Sequence, residues 1–255
     1  MNAISADMRS DGPGAPAPEP LVLLPGFMCD ARVWGPQIEA LSPDHTILLL
    51  PLTRDESVED MAQAVLDTAP ERFAVAGMSL GAAVALEVMR RAPERVTRIA
   101  LISANCLAET PPISAERETR IARAKGGRLA EVLAEDLPPE ALAPGELRHP
   151  LAEFMAEMAM ALGQEVYLRQ ARAMQRRPDQ KRTLHQVRVP ALVLCGEHDT
   201  ITLPRRHDFV AEMMQKSELV KIAEAGHLPT LEAPDRVTEA LRAWLNRTAE
   251  KQLLR

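Results

Sequence analysis

Short apolar runs alternate with amphipathic stretches along most of the chain, and the two periods are readily separated. Leu21–Leu24, Thr46–Leu50, Arg72–Ala76, Arg98–Ile102 and Ala191–Cys195 are brief, almost wholly apolar and bounded by turn residues, which predicts strands buried on both faces. A sixth run, Glu218–Ile222, is a further candidate strand. Between these runs the period becomes helical. Asp30 to Leu41 places Ala31, Trp34, Ile38 and Leu41 on one side. Ser57 caps a predicted helix to about Thr68 with Val58, Met61, Ala62, Val65 and Leu66 inward. An Ala-rich helix runs to about Arg91, another spans roughly Pro204 to Met214, and the last carries Val237, Leu241 and Leu245. Strands separated by helices imply right-handed crossovers, so the expected fold class is α/β: a mostly parallel central sheet with helices on both faces.

One interval departs from this alternation. From about Asn105 to Val187 no strand is evident, and helices are predicted near Ala115–Ala124, Arg128–Glu135, Leu151–Leu162 and Glu165–Arg176. Gly126-Gly127, Pro138-Pro139 and Pro144-Gly145 break them. The expected organisation is a flexible tail at 1–19, a core made of 20–104 and 188–248, and a helical insertion at 105–187 that covers the site as a lid. Met155, Met158, Met160 and Met174 give the insertion a soft apolar face, which core packing explains as well as substrate contact does.

Composition narrows the function. Of 255 residues 46% are hydrophobic but only 3% aromatic, so Leu, Val, Ala and the 12 Met must fill the core and no stacking platform for bases exists. The net charge of -6 argues against a nucleic-acid partner. Arg90-Arg91, Arg176-Arg177 and Arg205-Arg206 are scattered and read as solvated faces. Cys29, Cys106 and Cys195 are far apart, so neither a disulfide framework nor a zinc site is indicated, and Cys195 is expected to be a small buried hydrophobe. Met1 to Pro20 lacks the apolar block of a signal peptide, and no run is long enough to span a bilayer. The expectation is a soluble cytoplasmic protein with no membrane partner.

The chemistry centres on Gly77-Met78-Ser79-Leu80-Gly81. Preceded by a strand and followed by a helix, this Gly-x-Ser-x-Gly forms a nucleophile elbow, with Ser79 projected from a strained turn and Gly77 and Gly81 offering no Cβ to collide there. A serine needs a base, and the base an orienting acid. His227, in the loop between the last strand and the final helix, is the candidate base; His45, His149, His185, His198 and His207 fit worse by position. The preceding strand ends at Gly196-Glu197-His198-Asp199-Thr200, which offers Glu197 and Asp199, and Asp199 is taken as the acid.

Leu23-Leu24-Pro25-Gly26-Phe27, Gly77 to Gly81, Gly196-Glu197-His198-Asp199 and Gly226 to Pro234 together resemble the α/β-hydrolase superfamily, in its branch of lidded serine esterases, enol-lactonases and cofactor-free haloperoxidase-like proteins. The resemblance covers about Pro20 to Leu245. It implies a Ser79, Asp199, His227 triad, an oxyanion hole from the backbone amides of Phe27 and Leu80, and no metal or organic cofactor. It implies an enzyme acting on a small-molecule ester through an acyl-enzyme. Pro25-Gly26 stands where the family usually has His-Gly, and Pro51 to Asp55 replaces the Gly-rich loop that often follows the second strand. Lactone opening and carbon-carbon bond hydrolysis use the same machinery, and a non-catalytic ligand-binding protein of this fold is the alternative of another class. Dehalogenases and epoxide hydrolases are disfavoured because they carry Asp at the position of Ser79. A dinucleotide-binding domain is disfavoured because Gly-x-Gly-x-x-Gly does not follow the first strand.

Overall fold

A computed structural model describes residues 19–247; the predicted tail, apart from Glu19, and the last core position, 248, lie outside the described residues. Strands β1 (Leu21–Leu24), β2 (Ile47–Leu49), β3 (Phe73–Met78), β4 (Val96–Ile102), β5 (Ala191–Gly196) and β6 (Ser217–Ile222) form one sheet in the order β2-β1-β3-β4-β5-β6. Every neighbouring pair is parallel. The chain steps outward from β1 to β2, then crosses back over β1 to β3. The order therefore reverses between β1 and β3, and the carboxyl ends of those two strands flank the crevice where ligands bind in open α/β sheets.

In chain order the helices are α1 (Gly35–Leu41), α2 (Val58–Thr68), α3 (Leu80–Arg91), α4 (Pro111–Lys125), α5 (Leu129–Asp136), α6 (Arg148–Arg176), α7 (Lys181–Gln186), α8 (Pro204–Glu212), α9 (Pro229–Glu232) and α10 (Pro234–Leu245). Side chains alternate across the sheet. Val22, Leu24, Val75, Leu101 and Val193 pack with Met61 and Val65 of α2 and Leu80, Val84 and Val88 of α3. Leu21, Leu23, Ala76, Ala100 and Leu194 pack instead with Trp34, Leu41 of α1 and Val237, Leu241 and Trp244 of α10. Burying an aliphatic side chain of this size contributes roughly 1.5–3 kcal/mol. With both faces covered, β1, β3 and β5 are buried at every position, which is why they read as continuous apolar runs. Ser57 Oγ accepts from Asp60 N–H at 3.0 Å, so α2 starts with the predicted cap.

The interval between β4 and β5 is helical, as expected, and holds α4 to α7. The helices predicted near Leu151–Leu162 and Glu165–Arg176 are the two parts of α6, which Gly163 interrupts with φ 81 and ψ 178.

Four details differ from the sequence reading. Ala31 is exposed, whereas Val33 and Gln37 are buried, because Ala31–Trp34 is a 3-10 turn and advances about 120° per residue, not 100°. Met160 is exposed, so it is no part of the apolar face that buries Met155 and Met158. Arg177 is buried, holding the Leu107 and Met174 carbonyls and Glu109, whereas its neighbour Arg176 is solvated. Arg90 and Arg91 are not simply solvated either, since both clamp the buried carboxylate of Glu87. No described helix is long and apolar enough to cross a membrane.

Candidate active site

Ser79 lies where β3 turns directly into α3, with φ 50 and ψ -110, a conformation that costs a non-glycine residue of order 1–3 kcal/mol. The crowding behind it accounts for the two glycines. A Cβ on Gly77 would stand 2.2 Å from the Gly81 carbonyl oxygen, and one on Gly81 would stand 2.3 Å from that of Leu24. Strand β3, helix α3 and the end of β1 thus meet backbone to backbone, and the turn that leaves Ser79 half-buried is locked from beneath.

At the carboxyl ends of β5 and β6 the structure brings Asp199 and His227 together. His227 Nδ1 lies 3.0 Å from Asp199 Oδ1 and 2.9 Å from Oδ2, with both side chains almost fully buried. The Ile201 and Thr202 amides also donate to Oδ1, at 2.9 and 2.8 Å, so the carboxylate is an acceptor throughout. Nδ1 therefore carries the hydrogen in that bond, and Nε2 is the ring nitrogen that remains to act as a base. Glu197, the other acid of the loop, is exposed, as is His198.

His227 and Ser79 are linked through their neighbours, and no hydrogen bond joins their side chains among the described residues. Ser79 N–H donates to the Ile102 carbonyl at 2.9 Å, and the next residue, Ser103, donates its hydroxyl to the His227 carbonyl at 2.9 Å. Thr230 Oγ1 lies 3.7 Å from the sulfur of Met78, beside Ser79. Ser103 itself has φ 49, a second strained serine that serves the histidine loop.

The amides of Phe27 and Leu80 have no acceptor among the described residues. Leu80 opens α3, where an unpaired N–H and the positive end of the helix dipole are inherent to the geometry. Phe27 and Met28 form a turn closed by Cys29 N–H donating to the Gly26 carbonyl at 3.1 Å, with Met28 in the left-handed region at φ 51. Both candidate amides sit at the switch point between β1 and β3.

Two residues near the site escaped the sequence reading. Glu232 accepts from Leu228 N–H on Oε1 at 2.9 Å, and on Oε2 from Gly226 at 2.9 Å and Ala143 at 2.6 Å. It thereby braces the loop on both sides of His227, whose own N–H donates to Ala141 at 2.7 Å. The only signal in the sequence was a Glu within the run Gly226 to Pro234. His207, set aside because it falls in a helix, is fully buried, and its Nε2 accepts from Ala104 N–H at 2.8 Å. Burial pushes its pKa down to about 4 against the nearby charge of Asp199, so it is neutral at pH 7.

The three thiols are buried as well. Burial raises Cys29 and Cys195 to about 12 and Cys106 to about 11, so none is a thiolate at neutral pH. Among the described residues no group of three His, Cys, Asp or Glu is placed to hold a metal ion.

The profile of the family described as "Alpha/beta hydrolase family" matches residues 21–240. A pimeloyl-[acyl-carrier protein] methyl ester esterase of Nitrosomonas europaea is 25% identical, over 95% of this chain and 100% of that protein. Among solved structures, a thermophilic esterase from Thermogutta terrifontis superimposes with a TM-score of 0.80 at 24% identity, covering 89% of both chains. The enol-lactonase from Burkholderia xenovorans does so with a TM-score of 0.80 at 22% identity, covering 90% of this chain and 92% of that one.

Proposed function

This chain belongs to the alpha/beta hydrolase family, and from that premise we propose that it is a serine hydrolase that cleaves a small carboxylic ester through an acyl-enzyme. The observation that carries the proposal is the buried Asp199–His227 pair, which leaves Nε2 as a base at the same sheet edge as the strained Ser79. Ester hydrolysis is also what the name of the Nitrosomonas relative describes.

His227 Nε2 takes the Ser79 proton as Oγ attacks the ester carbonyl. The Phe27 and Leu80 amides receive the oxyanion, and one such donor is worth about 10²–10³ in kcat. The imidazolium then protonates the departing alkoxide, with Asp199 fixing its orientation. A water activated by the same nitrogen attacks the acyl-enzyme, and the carboxylate product leaves with Ser79 restored. The helices of 105–187 act as the lid over this edge of the sheet, which is consistent with Ala141 and Ala143 bonding to the histidine loop and its brace.

Initial rates on p-nitrophenyl esters of graded chain length, on methyl esters of the same acids, and on lactones and diketones test the proposal. Ester turnover that exceeds the other classes and disappears in Ser79→Ala is expected. Turnover of lactones or diketones alone would move the reaction class, and no turnover of any would favour a binding protein on this fold.

A further inference from the structure

We propose that Gln170, in the second half of α6, is a positioning residue for the oxyanion hole. By engaging Met28 N–H and the Leu52 carbonyl, it holds the turn so that the Phe27 amide is the one that faces the substrate. The proposal rests on the serine-hydrolase reading above.

Gln170 is fully buried. Its Oε1 accepts from Met28 N–H at 2.7 Å and its Nε2 donates to the Leu52 carbonyl at 2.8 Å, joining α6 to two segments that are 142 and 118 positions from it in sequence. Met28 is the residue in the left-handed region, and a side chain at that position opposes the conformation. A buried bond to its own N–H offsets that opposition.

The same bond removes Met28 N–H as a rival donor, leaving Phe27 N–H without an acceptor one residue earlier. One helical turn before Gln170, Tyr167 packs edge-on against the Phe27 ring, with centroids 5.6 Å apart and planes at 71°. Tyr167 is itself pinned by its hydroxyl to Asp136 at 2.7 Å. One face of α6 therefore grips both the ring of Phe27 and the amide after it. Leu52 belongs to the Pro51–Asp55 loop, one of the two segments in which this sequence departs from the family pattern, and Arg169 holds that loop again through the Thr53 carbonyl at 3.2 Å. The departure thus coincides with a loop tied to the oxyanion turn through the insertion.

Gln170→Met keeps the volume and removes both hydrogen bonds. Measured on a p-nitrophenyl ester, kcat is expected to fall about 10–100-fold, a fraction or the whole of one oxyanion donor, with KM within about threefold. The affinity of an alkylboronic acid, whose adduct with Ser79 places an oxygen in the hole, should fall in parallel with kcat/KM. A helix that merely loosened the lid would raise KM and leave kcat alone. That result, or kcat and boronate affinity both within twofold of the parent, overturns the proposal.

Should the variant not fold, amide chemical shifts of the unaltered protein decide the matter. The boronate should move the Phe27 amide resonance downfield and leave Met28 in place, and a response at Met28 overturns the proposal. Ester turnover surviving in Ser79→Ala removes the serine reading and this inference with it. Ser79-dependent turnover indifferent to Gln170→Met removes this inference alone.

Discussion

Replacing Glu232 by glutamine takes one accepting oxygen from a carboxylate that the amides of Ala143, Gly226 and Leu228 share. The amide oxygen of glutamine can take the place of Oε2 and keep two of these donors. Its NH2 group then faces Leu228 N–H, donor against donor. A hydrogen bond to a charged acceptor contributes about 1.5–3 kcal/mol and a neutral one about 1; Glu232 is only part-buried, so at the lower end, about 1.5–2 for the lost bond and about 0.5–1 for each weakened one, the sum is about 2.5–4 kcal/mol. At a size of roughly 150–250 residues, each kcal/mol lowers Tm by about 2–4 °C. The catalytic effect follows from what the brace holds. Gly226 and Leu228 flank His227, and a displacement of about 1 Å at a reacting group can cost on the order of 10² in rate. Urea unfolding followed by circular dichroism, with kcat and KM on one activated ester, reads both quantities. The expected outcome is a loss of about 2.5–4 kcal/mol and a kcat reduced about 10–100-fold with KM little changed. A variant within about 0.5 kcal/mol of the parent and within twofold in kcat would refute the assignment of Glu232 as the brace of the histidine loop.

Three further expectations follow from the same contacts. Asp199→Asn should lower kcat by up to about 10⁴-fold with circular dichroism unchanged, whereas Glu197→Gln, altering an exposed side chain, should stay within about tenfold; the reverse ranking would exchange their roles. His207 has its folded pKa depressed from 6.5 to about 4, so as pH falls the unfolded chain takes the proton first. The native state should lose on the order of 3 kcal/mol between those two pH values, nothing above pH 6.5 and no more below about 4. Denaturant titrations should show the stability of the parent falling relative to His207→Gln across that window, and a constant difference would contradict it. Gly81→Ala places a methyl 2.3 Å from the Leu24 carbonyl oxygen and should destabilise by about 3 kcal/mol or more, a result that parent-like urea unfolding would overturn.

What could be read from the sequence was whatever local pattern encodes. The strands were legible because β1, β3 and β5 are buried on both faces and carry no polar interruption. Ser79 was legible because the backbone crossing beneath it demands glycine two residues before and two after. His227 and Asp199 were legible from the strand each follows. The residues that hold this group in place were not, because their partners are brought to them only by the fold: Glu232 meets Ala143, His207 meets Ala104 and Gln170 meets Met28. Charge pattern misled at Arg177 for the same reason, since Glu109 and the Leu107 carbonyl are brought to it from the far end of the insertion. Helices α7 and α9 are too short, at six and four residues, to show a period.

The central claim is that Ser79 is the nucleophile, and covalent labelling tests it most directly. A fluorophosphonate added to the protein should form one adduct by intact mass, mapping by peptide sequencing to the fragment that contains Ser79, with ester turnover falling in proportion to the adduct. Ser79→Ala should neither label nor turn over ester. An adduct on another residue, or ester hydrolysis that persists in Ser79→Ala, would contradict the account.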